Sequence, residues 1–386
     1  MDICVLNPFF YPYAGGTEKV LFEVYKRLAK RHNVTVISSA LDTRSKGSRE
    51  NVHGIDVVRL KTTYIDVPVL PMPFPVTMGL RDAVEKENAD IYHINNRYLY
   101  FFDTINAIKK KGGKIALTLH DALPKNIGPF TDNTGYIYDM VWGRKIIQYA
   151  DVITGVSRNT IETTVPAEQM DKAFVIYNGV DSNLYRHRKK EAGRRIMKRL
   201  GVDPHSIIVL NNGRLVTQKG QIYLIRAFAE IMKRRKDNGI NLVIIGKGPL
   251  KDTLWYMAKD LGVGRNFKFQ SGIPESDMPL YYNISDVFVS ASLYEPASIS
   301  IMEALASEVP VVASKVGGVP EMMKNFGIYV KPKSIEDIRE GVMEVLTNRE
   351  AARRRAAGGR KLMLKEHDWD EIAKKYERVF ELAIKK

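Results

Sequence analysis

Short apolar runs alternate with longer amphipathic stretches along the whole chain. In the first half the runs are ICVLN (3–7), VTVIS (34–38), DVVRL (56–60), DIYHI (90–94), KIALTL (114–119) and DVITGV (151–156). In the second half they are AFVIY (173–177), IIVLNN (207–212), NLVIIG (241–246), FKFQSG (267–272), DVFVSA (286–291) and VPVVAS (309–314). Between them lie helical patterns such as TEKVLFEVYKRLAKR (17–31) and QIYLIRAFAEIMKRR (221–235). Near-continuous apolar strands alternating with helices predict parallel sheets covered on both faces. Two such series predict two doubly wound α/β domains, 1–171 and 172–366. The tail 367–386 reads as one amphipathic helix, with Asp368 near its N-cap. Open parallel sheets bind ligands at the carboxyl ends of their strands, which is where chemistry is sought first.

A length of 386 residues and 45% hydrophobic content fit two cores of ordinary size. The single cysteine, Cys4, lies in an apolar run and leaves no intramolecular disulfide to form. A strand opens the chain and no run is apolar enough to span a bilayer, so a reducing cytosolic setting is expected. The net charge of +15 is clustered, notably in RHRKKEAGRRIMKRL (186–200), KKKGGK (109–114) and KRLAKR (26–31). Such a balance suits anionic partners, among them phosphates and an anionic membrane surface, or simply a solvated lysine-rich exterior. The cluster KRRK (233–236) reads as a helix end. No nucleic-acid partner is expected, because basic and aromatic residues are not interleaved as in RNA-binding sheets.

Four constellations carry chemistry. In NGRLVTQKG (212–220), Arg214 and Lys219 stand in the loop between a strand and a helix. Two fixed cations there suit a diphosphate, each charge-assisted bond contributing about 1.5–3 kcal/mol; the alternative is a basic surface turn. Gly15 and Gly16 precede the helix that starts at Thr17, which reads equally as a turn or as an anion-binding helix start. Neither a Walker loop nor GxGxxG is present. His120 and Asp121 end a strand, and the seven histidines show no metal-ligand spacing, so His120 is a donor or acceptor or a locally satisfied strand end. In EPASISIMEALA (295–306), Glu295 precedes a helix that opens at Ser298, Ile299 and Ser300, and Glu303 sits a turn inside among apolar neighbours. Buried carboxylates need partners, and the hydroxyls of a nucleoside sugar would serve.

The ordered set GGTE (15–18), HD (120–121), NGVD (178–181), GRLVTQKG (213–220), Glu-x7-Glu (295–303) and GGVPE (317–321) resembles the family-4 retaining glycosyltransferases. The resemblance spans nearly the whole chain. It implies a GT-B fold, two Rossmann-like domains facing across a cleft, with the C-terminal helix crossing back to the first. By position it implies Arg214 and Lys219 as the diphosphate clamp, Glu303 as ribose acceptor, Glu295 at the transferred sugar and His120 beside it. The implied donor site also takes in Gly15, Gly16, Gly246, Gly272, Ser298, Ile299 and Ser300. The chain departs from the family at Ala297 and Ser298, where many members carry an aromatic residue and a glycine, and at Lys247, where an acid is frequent.

The resemblance implies transfer of a sugar from a nucleotide-diphosphate sugar to a hydroxyl acceptor, with retention and without a metal or other cofactor. A sugar phosphorylase, a nucleotide-sugar epimerase and a non-catalytic binding subunit are the competing readings. The runs VPVLPMPFPVTMGL (67–80) and RYLYFF (97–102) fit an apolar acceptor groove, a lipid contact at a membrane's cytoplasmic face, or a packed proline-rich loop.

Overall fold

The computed structural model describes residues 1–13, 15–41, 47–65, 74–98, 101–121, 133, 136–235 and 239–385. The run 67–80 therefore lies outside the described residues as far as 73, and the run 97–102 at 99–100. The chain forms two compact units, Met1–Asn178 with Trp369–Lys386, and Gly179–Asp368.

The first unit contains strands β1 (Asp2–Leu6), β2 (Asn33–Ser39), β3 (Ser48–Val52), β4 (Ile55–Leu60), β5 (Thr62–Ile65), β6 (Phe74–Thr77), β7 (Ile91–Asn95), β8 (Lys114–Leu119), β9 (Val152–Gly155) and β10 (Ala173–Val175). Eight of them make one sheet in the order β10-β9-β8-β7-β1-β2-β4-β3, while β5 and β6 pair separately. All neighbours in the large sheet run parallel except β3 and β4. That hairpin closes through His53 and Gly54, both at positive φ (52° and 86°), the twist a two-residue hairpin turn needs. Residues 173–175, read from sequence as the head of the second domain, instead extend the first sheet by pairing with β9. The division accordingly falls after Asn178 rather than at 171.

The helix Trp369–Lys385 buries Trp369, Ile372, Ala373, Tyr376, Val379, Phe380 and Ala383, spacings of three and four that form one face. It belongs to the first unit, where Tyr376 and Phe380 pack on His93 of β7. Its polar side is tied to the helix Gly16–Leu28 and the turn that follows it by Arg27–Asp370 (2.5 Å), Arg31–Glu377 (2.8 Å) and His32–Glu377 (2.6 Å).

The second unit holds β11 (Ile207–Asn212), β12 (Ile240–Ile245), β13 (Phe267–Gln270), β14 (Val287–Ser290), β15 (Val311–Ser314) and β16 (Ile328–Val330). All six are parallel, ordered β13-β12-β11-β14-β15-β16. Alternate residues feed different cores: Val243 and Ile245 pack on one face of β12, Leu242 and Ile244 on the other. Two buried faces explain why the run is apolar throughout rather than every second residue. The strand order reverses between β11 and β14, and a doubly wound sheet opens a crevice outside the carboxyl ends at that point.

Candidate functional site

The loops leaving β11, β12, β14 and β15 are stitched into one rim at that crevice. The Gly213 amide donates to the Ile245 carbonyl (3.0 Å), Leu215 to Lys247 (2.8 Å), Leu293 to Gln218 (2.8 Å) and Gly318 to Glu295 (3.0 Å). Gln218 Nε2 adds a bond to the Tyr294 carbonyl at 3.1 Å. Close approach holds the rim shut. A Cβ on Gly246 would stand 2.0 Å from the Gly213 carbonyl oxygen, and one on Gly220 2.1 Å from that of Ala291.

Lys219 and Glu295 meet on this rim, Nζ to Oε2 at 2.5 Å, with Ser292 Oγ donating to the same oxygen at 3.2 Å. The side chains are 19% and 7% exposed. Arg214 is exposed, and among the described residues its guanidinium makes no ion pair. The two cations thus differ. Arg214 is available to an incoming anion, whereas Lys219 is positioned by a carboxylate that uses one of its three N–H donors. Glu303, 5% exposed, accepts from the Tyr282 hydroxyl at 2.8 Å, which itself accepts from Asn212 Nδ2 at 3.2 Å. This chain runs from the helix Ile299–Ala306 to the last residue of β11, two residues before Arg214. Burial, and then the Glu303 charge, push the Tyr282 and Tyr185 phenols well above their usual range, so both stay protonated beside the carboxylate.

The carboxylates that looked unpartnered in the sequence therefore have protein partners, a lysine for Glu295 and a tyrosine for Glu303. Ser298 caps the helix Ile299–Ala306, its Oγ accepting from the Ile301 amide at 3.4 Å and bonding Ser300 Oγ at 3.1 Å. A glycine there has no side chain to supply this cap. The Ile299 and Ser300 amides precede any intrahelical acceptor and complete the group. Gly272, at φ 67°, has nothing within 4 Å of a built Cβ.

The first unit carries the remaining predicted residues. Gly15 and Gly16 start the helix Gly16–Leu28, but a Cβ on Gly15 would lie 2.0 Å from Glu18 Oε2. The anion at this helix start is the chain's own Glu18, so a phosphate binding there has to displace it. His120 ends β8. Its Nε2 bonds Asn95 Oδ1 at 3.0 Å, and its backbone amide donates to Asn96 Oδ1 at 2.8 Å. An amide oxygen only accepts, so Nε2 carries the proton and Nδ1 keeps its lone pair. Burial lowers the His120 pKa to about 3, which keeps the ring neutral. Ser292 and Tyr282 were not legible as site residues, since each lies inside an apolar or small-residue run, and Asn95 was not because it reads as the plain polar end of a strand.

Backbone crowding gives a direct test of how the rim holds Glu295. Gly317 has φ 50°, and a Cβ there would stand 2.3 Å from the Glu295 carbonyl oxygen. Gly317→Ala is expected to destabilise by about 2–4 kcal/mol, combining strain with a clash that backbone cannot evade. Gly272→Ala, with the same backbone sign and open space, is expected to lose only about 1 kcal/mol. Urea unfolding of both variants makes the comparison. Equal losses would show that Glu295 is not held by this contact.

Residues 14–184 match the model of Glycosyltransferase Family 4, and residues 194–362 that of Glycosyl transferases group 1. An uncharacterized glycosyltransferase of Methanocaldococcus jannaschii is 36% identical over 221 residues, 55% of this chain and 55% of that protein. A GDP-mannose-dependent alpha-(1-6)-phosphatidylinositol monomannoside mannosyltransferase of Mycobacterium tuberculosis is 32% identical over 60% of this chain and 62% of its own length. The matched region thus spans only a little over half of these relatives. The solved sucrose-phosphate synthase of Thermosynechococcus elongatus superposes with a TM-score of 0.78 at 19% identity, covering 98% of each chain, a likeness of fold. With two Rossmann-like parallel sheets, and consecutive halves matched by the two family models, the chain belongs to the family-4 glycosyltransferases of GT-B fold.

Proposed function

We propose that the protein transfers a sugar from a nucleotide-diphosphate sugar to a hydroxyl acceptor, with retention at the anomeric carbon. The observation that carries this reading is the rim of the second sheet. An available Arg214, a lysine held by Glu295 and two open helix amides are gathered at the reversal of strand order. That is the donor set for a leaving diphosphate.

In the proposed reaction the bond between the anomeric carbon and the phosphate oxygen breaks as the acceptor oxygen approaches the same face. The acceptor's proton passes to the departing phosphate oxygen. Arg214, Lys219 and the Ile299 and Ser300 amides take up the charge that develops on the diphosphate. Two protein cations and two amides fill the role a divalent metal has elsewhere, so turnover without added metal is part of the proposal. Glu303, steadied by Tyr282, is assigned to the ribose hydroxyls. Glu295 is assigned to the sugar, exchanging some of its hold on Lys219 for a sugar hydroxyl. Neutral His120 offers the Nδ1 lone pair to a hydroxyl of the donor sugar. The mannosyltransferase relative makes GDP-mannose the first donor to try and a lipid-anchored hydroxyl the first acceptor, which would set the work at the cytoplasmic side of a membrane.

Thermal unfolding against UDP, GDP, ADP and CMP and their sugar conjugates, with chelator present, tests the donor site. A ligand at about a hundred times its Kd adds about 2.7 kcal/mol to the folded state. A base-selective shift that disappears in Arg214→Ala is the expected result. No shift with any nucleotide would overturn the reading.

A further inference from the structure

The segment Tyr136–Lys145 of the first unit has its polarity inverted, whereas Ile146 and Ile147 just after it are buried in the core. Its inward side carries an acid: Asp139 is buried at 3% exposure and ion-paired with Arg97, and the Tyr138 hydroxyl donates to the Arg97 carbonyl. The seam is tight, since a Cβ on Gly143 would lie 2.6 Å from both Arg97 Nη1 and Asp139 Oδ1. The outward side carries the apolar residues. Tyr136 is 60% exposed, Ile137 55%, Met140 55% and Val141 37%. Arg144 and Lys145 follow, both exposed, with Arg144 Nε 3.8 Å from Asp139 Oδ2 at the edge of the seam. A π-helical turn over Asp139–Gly143 runs into the helix Arg144–Gln148, and the exposed residues come as the pairs 136/137, 140/141 and 144/145 with Asp139 and Gly143 buried between them, so all six share a face. Lys145 Nζ lies 5.8 Å from the Trp142 ring centroid, an aromatic and a cation side by side. Single exposed apolar side chains need no explanation, but four within six residues, held outward by a buried ion pair, form a patch.

We propose that this face docks the protein on an anionic bilayer surface. Tyr136, Ile137, Met140 and Val141 enter the boundary between headgroups and acyl chains, and Arg144 and Lys145 meet lipid phosphates. Charge decides between a bilayer and a second copy of the chain. At a net +15, two copies repel, whereas an anionic leaflet attracts each of them. The docking face does not depend on the donor reading, because vesicle binding needs no nucleotide.

Flotation of the full chain tests it, using phosphatidylcholine vesicles with and without roughly 30% phosphatidylglycerol at low salt. The wild type is expected to float with the anionic vesicles and far less with the neutral ones. Ile137→Ser with Met140→Ser should lower partitioning at least about tenfold, and Arg144→Gln with Lys145→Glu, which puts no new acid beside Asp139, by about tenfold on anionic vesicles only. These side chains are exposed, so unchanged thermal midpoints will show that both variants are folded. Failure of the wild type to float overturns the proposal, as does wild-type flotation by the serine variant. A dimer in light scattering that the serine pair dissociates, without vesicle binding, assigns the face to a second copy instead.

Discussion

Lys219→Ala is expected to lose turnover and stability together, while Arg214→Ala loses turnover alone. Both cations face the proposed diphosphate, and removing one preorganised donor of charge costs about 3 kcal/mol in the barrier, or about a hundredfold in rate. Their folded-state roles differ. Lys219 Nζ lies 2.5 Å from Glu295 Oε2, and Glu295 is 7% exposed, so the alanine variant leaves a buried carboxylate without its cation. Breaking a fully buried pair costs about 3–5 kcal/mol; with Lys219 19% exposed, about 2–3 kcal/mol is expected. Arg214 is exposed, and its substitution should stay within about 0.5 kcal/mol. Combining Lys219→Met with Glu295→Gln removes both charges and should recover most of the stability but none of the rate. Initial rates and urea unfolding of the wild type, Lys219→Met, Glu295→Gln and the double variant, read as a double-mutant cycle beside the two alanine variants, separate the two roles. Wild-type turnover in both alanine variants would remove the diphosphate from this rim.

The two sheets were legible because their strands are buried on both faces, which leaves a continuous apolar signal. Strand β3 (SRENV) gave none, as an exposed edge strand whose residues are almost all polar. Residues 173–175 looked like the start of a new domain because nothing local shows which sheet a short strand joins. In the site, Glu295 and Glu303 stood out as acids in apolar surroundings, but their partners did not. Lys219 is 76 residues from Glu295 and Tyr282 is 21 from Glu303, and no periodicity relates them. The same distance effect hid the inverted segment. Periodicity alone turns Ile137, Met140 and Val141 inward, and it takes Arg97, 42 residues away from Asp139, to turn the acid inward instead.

Acid sensitivity of the first unit is the second large effect. His93 lies in the middle of β7, its Nε2 bonded to Thr118 Oγ1 at 2.6 Å and its Nδ1 to the Tyr25 hydroxyl, and burial, followed by the neighbouring His120, lowers its pKa to about 3. Burial alone does the same to His120. In the unfolded chain both titrate near 6.5. Between pH 6.5 and about 3 the unfolded state thus holds up to two protons that the folded state refuses. The stabilisation is complete above pH 6.5 and is lost as the pH falls, by up to about 2.7 kcal/mol per pH unit for two sites. Carboxylates contribute little above about pH 5, which leaves a window where histidine dominates. Hydrogen exchange of β7 and β8 in urea at pH 7, 6 and 5 should show this slope, and His93→Gln should halve it. Turnover carries the complementary sign. A His120 that works as a neutral acceptor gives a rate with no inflection near pH 6.5, down to the pH at which the unit unfolds. An inflection near 6.5 that disappears in His120→Gln would mean that the imidazole titrates in the working enzyme. Its burial would then be relieved by the donor, and His120 would act as an acid rather than as a fixed lone pair.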